Sequence, residues 1–503
     1  MEVSVTPIFP GFRRVGPLAA AAFVLWMGGL RSAAQEAWSQ PAAAPIAQPH
    51  LRAAGYEDGA GGAPVHLTAA QDRERMLRLL GIKDSEMRPL SSTDAKAANA
   101  ANYDEAKADV YPTLPNPLAL NDGQRVTTAA VWWTRRRPEI VAEFDREIFG
   151  VTPAHLPKVT WTVVKTTPAH ADGMDVVTRH IVGHVDNSID PEIEVNIGLL
   201  LVTPARAAGP VPVIMELAWD SEFKTALAGP VVGAPDKWAV PWQPALRRGW
   251  GFAMLSAMSI QADNGAGLTE GIIGLMNHGQ PRGLEDWGAL KAWAWGASRA
   301  LDYFETDKAV NAKEVGLEGH SRMGKAVLVA MAYDPRFALA YSSSSGEGGA
   351  KLYRHIFGEP LTSLTSASLY HWFDGYFLRY GGPKNAGDLP VDAHELIALC
   401  APRPVFIGGG ADVGDGYANP GGDAWADTKG MFLAEVAAGP VYRLLGAKGL
   451  GTTVYPPVGT TLIEGDLGFR QHPYGHTPQP NWPYFLEFAS HYWHGADGAA
   501  RGK

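Results

Sequence analysis

From residue 211 to residue 493 the chain keeps returning to one unit, a short apolar run followed by a segment of helical pattern. The apolar runs are VPVIMEL (211–217), GWGFAML (249–255), KEVGLEG (313–319), RFALAYSSSS (336–345), RPVFIGGG (403–410) and GTTVYPP (451–457). Helical patterns occupy 284–306, 325–334, 428–438 and 481–493. Runs that are apolar along their whole length fit strands buried on both faces, as parallel strands with helical crossovers are. The alternation therefore predicts an α/β chain: a mostly parallel central sheet covered by helices on both faces, a three-layer sandwich. KVTWTVVK (158–165), VVTRHIVGHV (176–185) and EVNIGLLLVTP (194–204) come first and carry turn residues between them, which predicts an antiparallel start to the sheet.

No linker interrupts the stretch from about 110 to 495, so 111–495 is read as one catalytic-size domain. Residues 35–65 are rich in Ala, Pro, Gly and Gln, and 35–110 is read as a linker and N-terminal extension. Within it, 72–82 has the pattern of a short amphipathic helix ending at Gly81; at the start of the 111–495 domain, 127–150 is helical up to Gly150. The first 34 residues read as a secretory signal: Arg13 and Arg14, an apolar run at 16–30, and small residues at 32–34. That run is short for a membrane span, so the mature protein is expected to be exported, periplasmic or extracellular, with no span after processing. The chain has 503 residues, and its net charge of −9 offers no basic surface for nucleic acid. Its one cysteine, Cys400, excludes an intramolecular disulfide and is expected to be a buried small apolar residue. A monomer is expected.

The strand KEVGLEG runs into GHSRMGKAV and then a helix. Strand, sharp turn and helix is the setting of a nucleophile elbow, whose usual form is G-x-S-x-G. Here the second glycine is one residue late, giving Gly319, Ser321 and Gly324. In that setting Ser321 is either a nucleophile, with the Arg322 amide aimed at an oxyanion, or a cap for the helix that follows. Arg322 and Lys325 lie in the first turns of this helix, where its dipole disfavours cations. A local rule broken beside a candidate nucleophile points to use: Arg322 toward the oxyanion, Lys325 toward substrate oxygens. The bland reading of Lys325 is a solvated charge.

The partners of an elbow serine follow in the order acid, then histidine. The loop after RPVFIGGG supplies Asp412, Asp415, Asp423 and Asp427, any of which could orient a histidine. FRQHPYGHTPQPNW supplies His472 and His476 before the last helix. Their spacing of four could suggest a metal pair, but Pro473 and Gly475 between them argue against the helix such a pair needs.

Three blocks, GHSRMGKA, GGDAWADTKGMFLAEVAAGPVYRLLG and FRQHPYGHTPQPNWP, resemble the bacterial branch of the glucuronoyl esterases, carbohydrate esterase family fifteen, with the likeness running over roughly 110–493. The resemblance implies an α/β-hydrolase fold and metal-free, cofactor-free cleavage of the ester between 4-O-methyl-glucuronic acid on xylan and lignin alcohols. It makes Ser321 the nucleophile, Arg322 an oxyanion-stabilising residue and His476 the catalytic histidine. It also makes Lys325 a contact to the uronate hydroxyls and Trp425 a face for the sugar, with Glu359 matching a substrate-contacting acid. Many members carry their acid as a glutamate after the strand that follows the elbow; here that segment is YSSSSGEGG, with Ser344 in the glutamate's place. Other members carry an acid after the next strand, which Asp423 matches. Asp423 is thus the expected acid, with Asp412 and then Glu347 as alternatives. SLYHWFDGYF (368–377) either lines the cleft or packs in the core. The expected substrate is a polysaccharide or oligosaccharide uronate ester. The competing readings are an acetylxylan or other carbohydrate esterase, and a non-catalytic glycan-binding protein on the same fold.

Overall fold

The computed structural model describes residues 64–92, 96–111, 113–228, 242–411 and 422–493. The expected signal segment (1–34) and two of the four aspartates, Asp412 and Asp415, lie outside them. The strands are β1 (Val159–Ala171), β2 (Met174–Val185), β3 (Asn196–Pro204), β4 (Val211–Ala218), β5 (Gly251–Ser256), β6 (Val310–His320), β7 (Leu339–Ser343), β8 (Val405–Gly410), β9 (Thr461–Leu462) and β10 (Leu467–His472). They form one sheet in the order β1-β2-β3-β5-β4-β6-β7-β8-β10-β9. The six strands from β5 to β10 in that order pair in parallel. The first strands pair antiparallel, as their turn-separated runs predict. The β1–β2 hairpin turns on Asp172 and Gly173, both at positive φ (51° and 78°), the backbone that a two-residue hairpin loop requires.

Helices cover both faces, as the fully apolar strands demand. β4 divides its side chains by alternation. Val213, Met215 and Leu217 join a core with Leu290, Val327, Leu396 and Met431 from helices Ala289–Phe304, Arg322–Tyr333, Ala393–Cys400 and Thr428–Leu444. Ile214 and Ala218 point the other way, into a core with Tyr341, Phe406, Phe485 and Leu486, the last two from helix Trp482–Ser490. This is the α/β-hydrolase architecture. Cys400 is buried at the end of its helix, and burial pushes its thiol up to about 12.

Several elements differ from the sequence reading, two of them beside the site-bearing strands. GTTVYPP (451–457) forms no strand. The strand beside β8 is instead β10, with Leu467 opposite Val405 and His472 opposite Gly410. β10 hides its period because Arg470 and Gln471 are buried as polar residues; the Arg470 guanidinium donates to Asn481 Oδ1 at 2.7 Å and lies 3.9 Å over the Tyr484 ring. Helix Ala393–Cys400 also escaped notice. Asp392 and Glu395 form its capping box, a signal present in the sequence.

The part of the 35–110 extension that is described packs on the hydrolase body. Helix Ala69–Leu79 starts from a Thr68–Gln71 capping box and buries Met76 and Leu77. Its Asp72 accepts from the Tyr370 hydroxyl at 2.9 Å, and Arg75 donates to the Arg282 carbonyl at 2.6 Å. The 127–150 segment is helical from Ala129 to Phe149, includes two π turns, and stops at Gly150 with φ 79°.

Candidate active site

β6 delivers Ser321 to the carboxyl end of the parallel strands and turns at once into helix Arg322–Tyr333. Ser321 sits at φ 57°, ψ −123°, a backbone region that costs a non-glycine residue about 1–3 kcal/mol. Its amide donates to the Ser343 carbonyl at 2.8 Å, which ties the turn to the end of β7. The hydroxyl makes no capping bond to the helix, so the capping reading of this serine does not hold. The two glycines explain the late spacing. A Cβ on Gly319 would come within 2.6 Å of the Met323 backbone, and one on Gly324 within 2.9 Å of the Gly319 carbonyl. Strand and helix cross here with no room for side chains, and Met323 fills the position of the usual second glycine with a buried side chain.

The two histidines separate on their partners. His472 is spoken for at both ring nitrogens: Nε2 meets the Thr477 carbonyl at 2.9 Å, and Nδ1 accepts from the Tyr474 amide at 3.1 Å. His476 Nδ1 lies 2.6 Å from Asp423 Oδ1. An ionised carboxylate only accepts, so Nδ1 carries the proton and Nε2 is the basic nitrogen. The His476 ring packs 4.3 Å, centroid to centroid, from the ring of His320, the residue before Ser321. The elbow and the histidine loop therefore meet.

Asp423 is fully buried. Its second oxygen accepts from the Gly410 amide at 2.6 Å and the Ser344 hydroxyl at 2.7 Å. Burial alone would raise this carboxyl, but His476 and the three hydrogen bonds outweigh burial and hold it below the ordinary carboxylate range. Ser344, at φ 45° just beyond β7, thus donates to a carboxylate carried by the loop after the next strand. Glu347 bonds to Lys351, not to a histidine. Asp427 caps helix Thr428–Leu444 through the Gly430 amide and accepts from His355, whose other nitrogen meets Glu105 of the N-terminal extension.

The cations are built in. Lys325 is 3% exposed, so it is no solvated charge. Burial lowers its pKa, opposed by Glu359, whose Oε2 lies 3.0 Å from Nζ. Nζ also donates to the Glu347 carbonyl. The Glu359 amide donates to the Trp425 carbonyl at 2.7 Å, so Lys325, Glu359 and Trp425 converge. Gly358, at φ 63°, makes this approach possible, since a Cβ there would meet the Ala424 and Trp425 carbonyls at 2.5 Å. Arg322 donates from Nη1 to Asp263 Oδ2 at 2.5 Å. Its guanidinium lies 4.7 Å over the Trp219 ring and 4.9 Å over the Trp372 ring. Trp372 belongs to the segment read as cleft lining or core, and it is buried behind the cations. Asp263 and Trp219 went unnoticed in the sequence, where neither sits in a motif.

Among the described residues no helix is long and apolar enough to cross a membrane. A family model described as glucuronyl esterase of fungi matches residues 282–446. A curated carbohydrate esterase from an unknown prokaryotic organism is 33% identical, over 78% of this chain and 92% of its own length. The 4-O-methyl-glucuronoyl methylesterase of Schizophyllum commune is 30% identical, over 66% of this chain and 74% of its own. Among solved structures, a glucuronoyl esterase of Teredinibacter turnerae matches at TM-score 0.76 and 39% identity, over 85% of this chain and all of the other. One from Solibacter usitatus matches at TM-score 0.67 and 36% identity, over 77% of this chain and all of its own. Taken with the elbow and the histidine–aspartate pair, these likenesses show that the chain belongs to the glucuronoyl esterases of carbohydrate esterase family 15, a family of carboxylic ester hydrolases.

Proposed function

We propose that this esterase hydrolyses esters of 4-O-methyl-glucuronic acid, as in links between glucuronoxylan and lignin alcohols, by a Ser-His-Asp acyl-enzyme mechanism. The observation that carries the reading is the short His476–Asp423 bond, formed by a carboxylate with every oxygen occupied, beside the strained elbow of Ser321. His476 Nε2 takes the proton of the Ser321 hydroxyl as Oγ attacks the ester carbonyl. The developing oxyanion is held by the Arg322 amide, with the guanidinium beside it. His476 gives its proton to the departing alcohol. A water, deprotonated in turn by His476, attacks the acyl-enzyme; the bond from the acyl carbon to Ser321 Oγ breaks, His476 returns the proton to Oγ, and the uronic acid leaves.

Lys325 and Glu359 support an oxygen-rich acyl group, with donor and acceptor fixed side by side for sugar hydroxyls. Trp425 supplies an aromatic face for the sugar's C–H surface. The N-terminal pattern supports export through a signal segment at 1–34, followed by action as a periplasmic or extracellular monomer. The test is hydrolysis of benzyl glucuronate and p-nitrophenyl acetate by wild type and Ser321→Ala. Preferred turnover of the glucuronate, lost in Ser321→Ala, is expected. Preference for acetate would favour an acetylxylan esterase, and no turnover with no fluorophosphonate labelling would favour a glycan-binding protein.

A further inference from the structure

We propose that Asp263 is a positioning residue for catalysis, acting through Arg322; the inference rests on the oxyanion role given to Arg322 above. Arg322 follows the nucleophile directly and sits on the first turn of its helix, where the dipole repels a cation. Nothing on that helix is bonded to its guanidinium among the described residues; the partner comes from elsewhere in the fold.

Asp263 lies on the segment after β5, and that segment is pinned on both sides. Gln261, fully buried, accepts from the Ile273 amide at 3.0 Å and donates to the Gly267 carbonyl at 2.7 Å. Asn264 accepts from the Gly267 amide at 2.8 Å. The carboxylate is then oriented by its own partners. Oδ1 accepts from His371 Nε2 at 2.9 Å and Trp372 Nε1 at 2.7 Å, leaving Oδ2 for Arg322. Burial would raise this carboxyl, but His371, Arg322 and Trp372 together hold it below its ordinary value, so it stays an anion.

Trp372 acts twice. Its ring nitrogen holds Asp263 while its face lies under the guanidinium, with Trp219 as the second ring face within 5 Å. One oxygen and two ring planes thus set both the position and the rotation of the guanidinium fork. Its Nε is buried and has no hydrogen-bond partner among the described residues, so Asp263 is the anchor from which the fork is aimed. A surface ion pair would contribute little and be free to swing. Here the carboxylate side chain is 11% exposed and carries two further donors. An asparagine cannot replace it, because its amide would set an N–H against one of three N–H donors.

The experiment is a double-mutant cycle on benzyl glucuronate turnover with Asp263→Asn and Arg322→Ala, and with Ser321→Ala as the inactive reference. Asp263→Asn is expected to lower kcat about 10- to 100-fold, with KM changed less than about threefold, because misaiming costs rate more than binding. In the Arg322→Ala background the same change is expected to cost less than about twofold, since the group it aims is gone. Trp372→Phe keeps the ring and removes the donor to Asp263; it is expected to lower kcat less than Asp263→Asn, again only when Arg322 is present. It carries the cycle should Asp263→Asn fail to fold. A near-wild-type kcat for Asp263→Asn, or losses that multiply with Arg322→Ala, would overturn the proposal while leaving the role of Arg322 standing. If Arg322→Ala itself turned over normally while Ser321→Ala did not, the oxyanion role and the proposal would fall together.

Discussion

The loops after β7 and β8 each bury a carboxylate, and the two are in opposite states. Asp423, on the β8 loop, is surrounded by donors: a ring N–H, a backbone amide and a hydroxyl. It is held below the ordinary range. Glu347, on the β7 loop, has burial as its dominant influence, and although Lys351 pulls the other way its carboxyl is pushed up to about 8. Both are about equally hidden from solvent. Burial therefore does not decide which carboxylate can serve a histidine. The donors around it do: the Gly410 amide and the Ser344 hydroxyl serve Asp423, whereas Glu347 is met by the Lys351 ammonium.

The comparison can be broken in several ways. Asp423→Asn is expected to have the largest effect, a loss of kcat on the order of 10³- to 10⁴-fold, because an amide no longer fixes the His476 tautomer. Steady-state turnover of benzyl glucuronate measures it. Lys325→Ala is expected to lower glucuronate turnover about 10- to 100-fold while p-nitrophenyl acetate is affected less, since only the sugar uses a buried hydrogen-bonding group. Equal losses on both substrates would count against the uronate contact. Ser344→Ala removes one of two donors to Asp423 Oδ2, worth about 1–2 kcal/mol, or roughly 5- to 30-fold if it acts wholly through the acid. Glu347→Gln is expected to leave kcat within about threefold and to change unfolding midpoints only modestly near neutral pH, because the amide oxygen can still accept from Lys351.

A pH series sharpens the contrast, because the two carboxylates carry opposite signs. Asp423 is depressed, so its stabilising contribution is full above the ordinary Asp value of about 4 and is lost as pH falls through the lower native value. Glu347 is raised, so its contribution is full below its ordinary value and is lost as pH rises toward about 8. Denaturant unfolding of wild type against Asp423→Asn should therefore converge at acid pH. Wild type should lose ground to Glu347→Gln between about pH 5 and 8.

Much of this was legible in the sequence, for identifiable reasons. Fully apolar strands declared the buried sheet, and Gly319, Ser321 and Gly324 declared the elbow because a close crossing of strand and helix demands glycine at those spacings. The residues alone left His472 and His476 open, and only the family resemblance chose His476; the partners that occupy His472 are backbone groups the sequence does not display. β10 was missed because its buried Arg470 is satisfied by Asn481 and Tyr484, residues ahead of it in the chain, so no local alternation marks it. Asp263 was missed for the same reason on a larger scale. It stands 59 residues before Arg322, and nothing near it in the chain indicates a cation to be held.

The central proposal is that Asp423, on the β8 loop, is the acid of this site, with the Ser344 hydroxyl as its support. The most direct measurement is the benzyl glucuronate kcat of folded Asp423→Asn beside that of folded Glu347→Gln. The account predicts a loss of at least about 10³-fold for the first and near-wild-type turnover for the second. Near-wild-type turnover by Asp423→Asn, with collapse in Glu347→Gln, would contradict it.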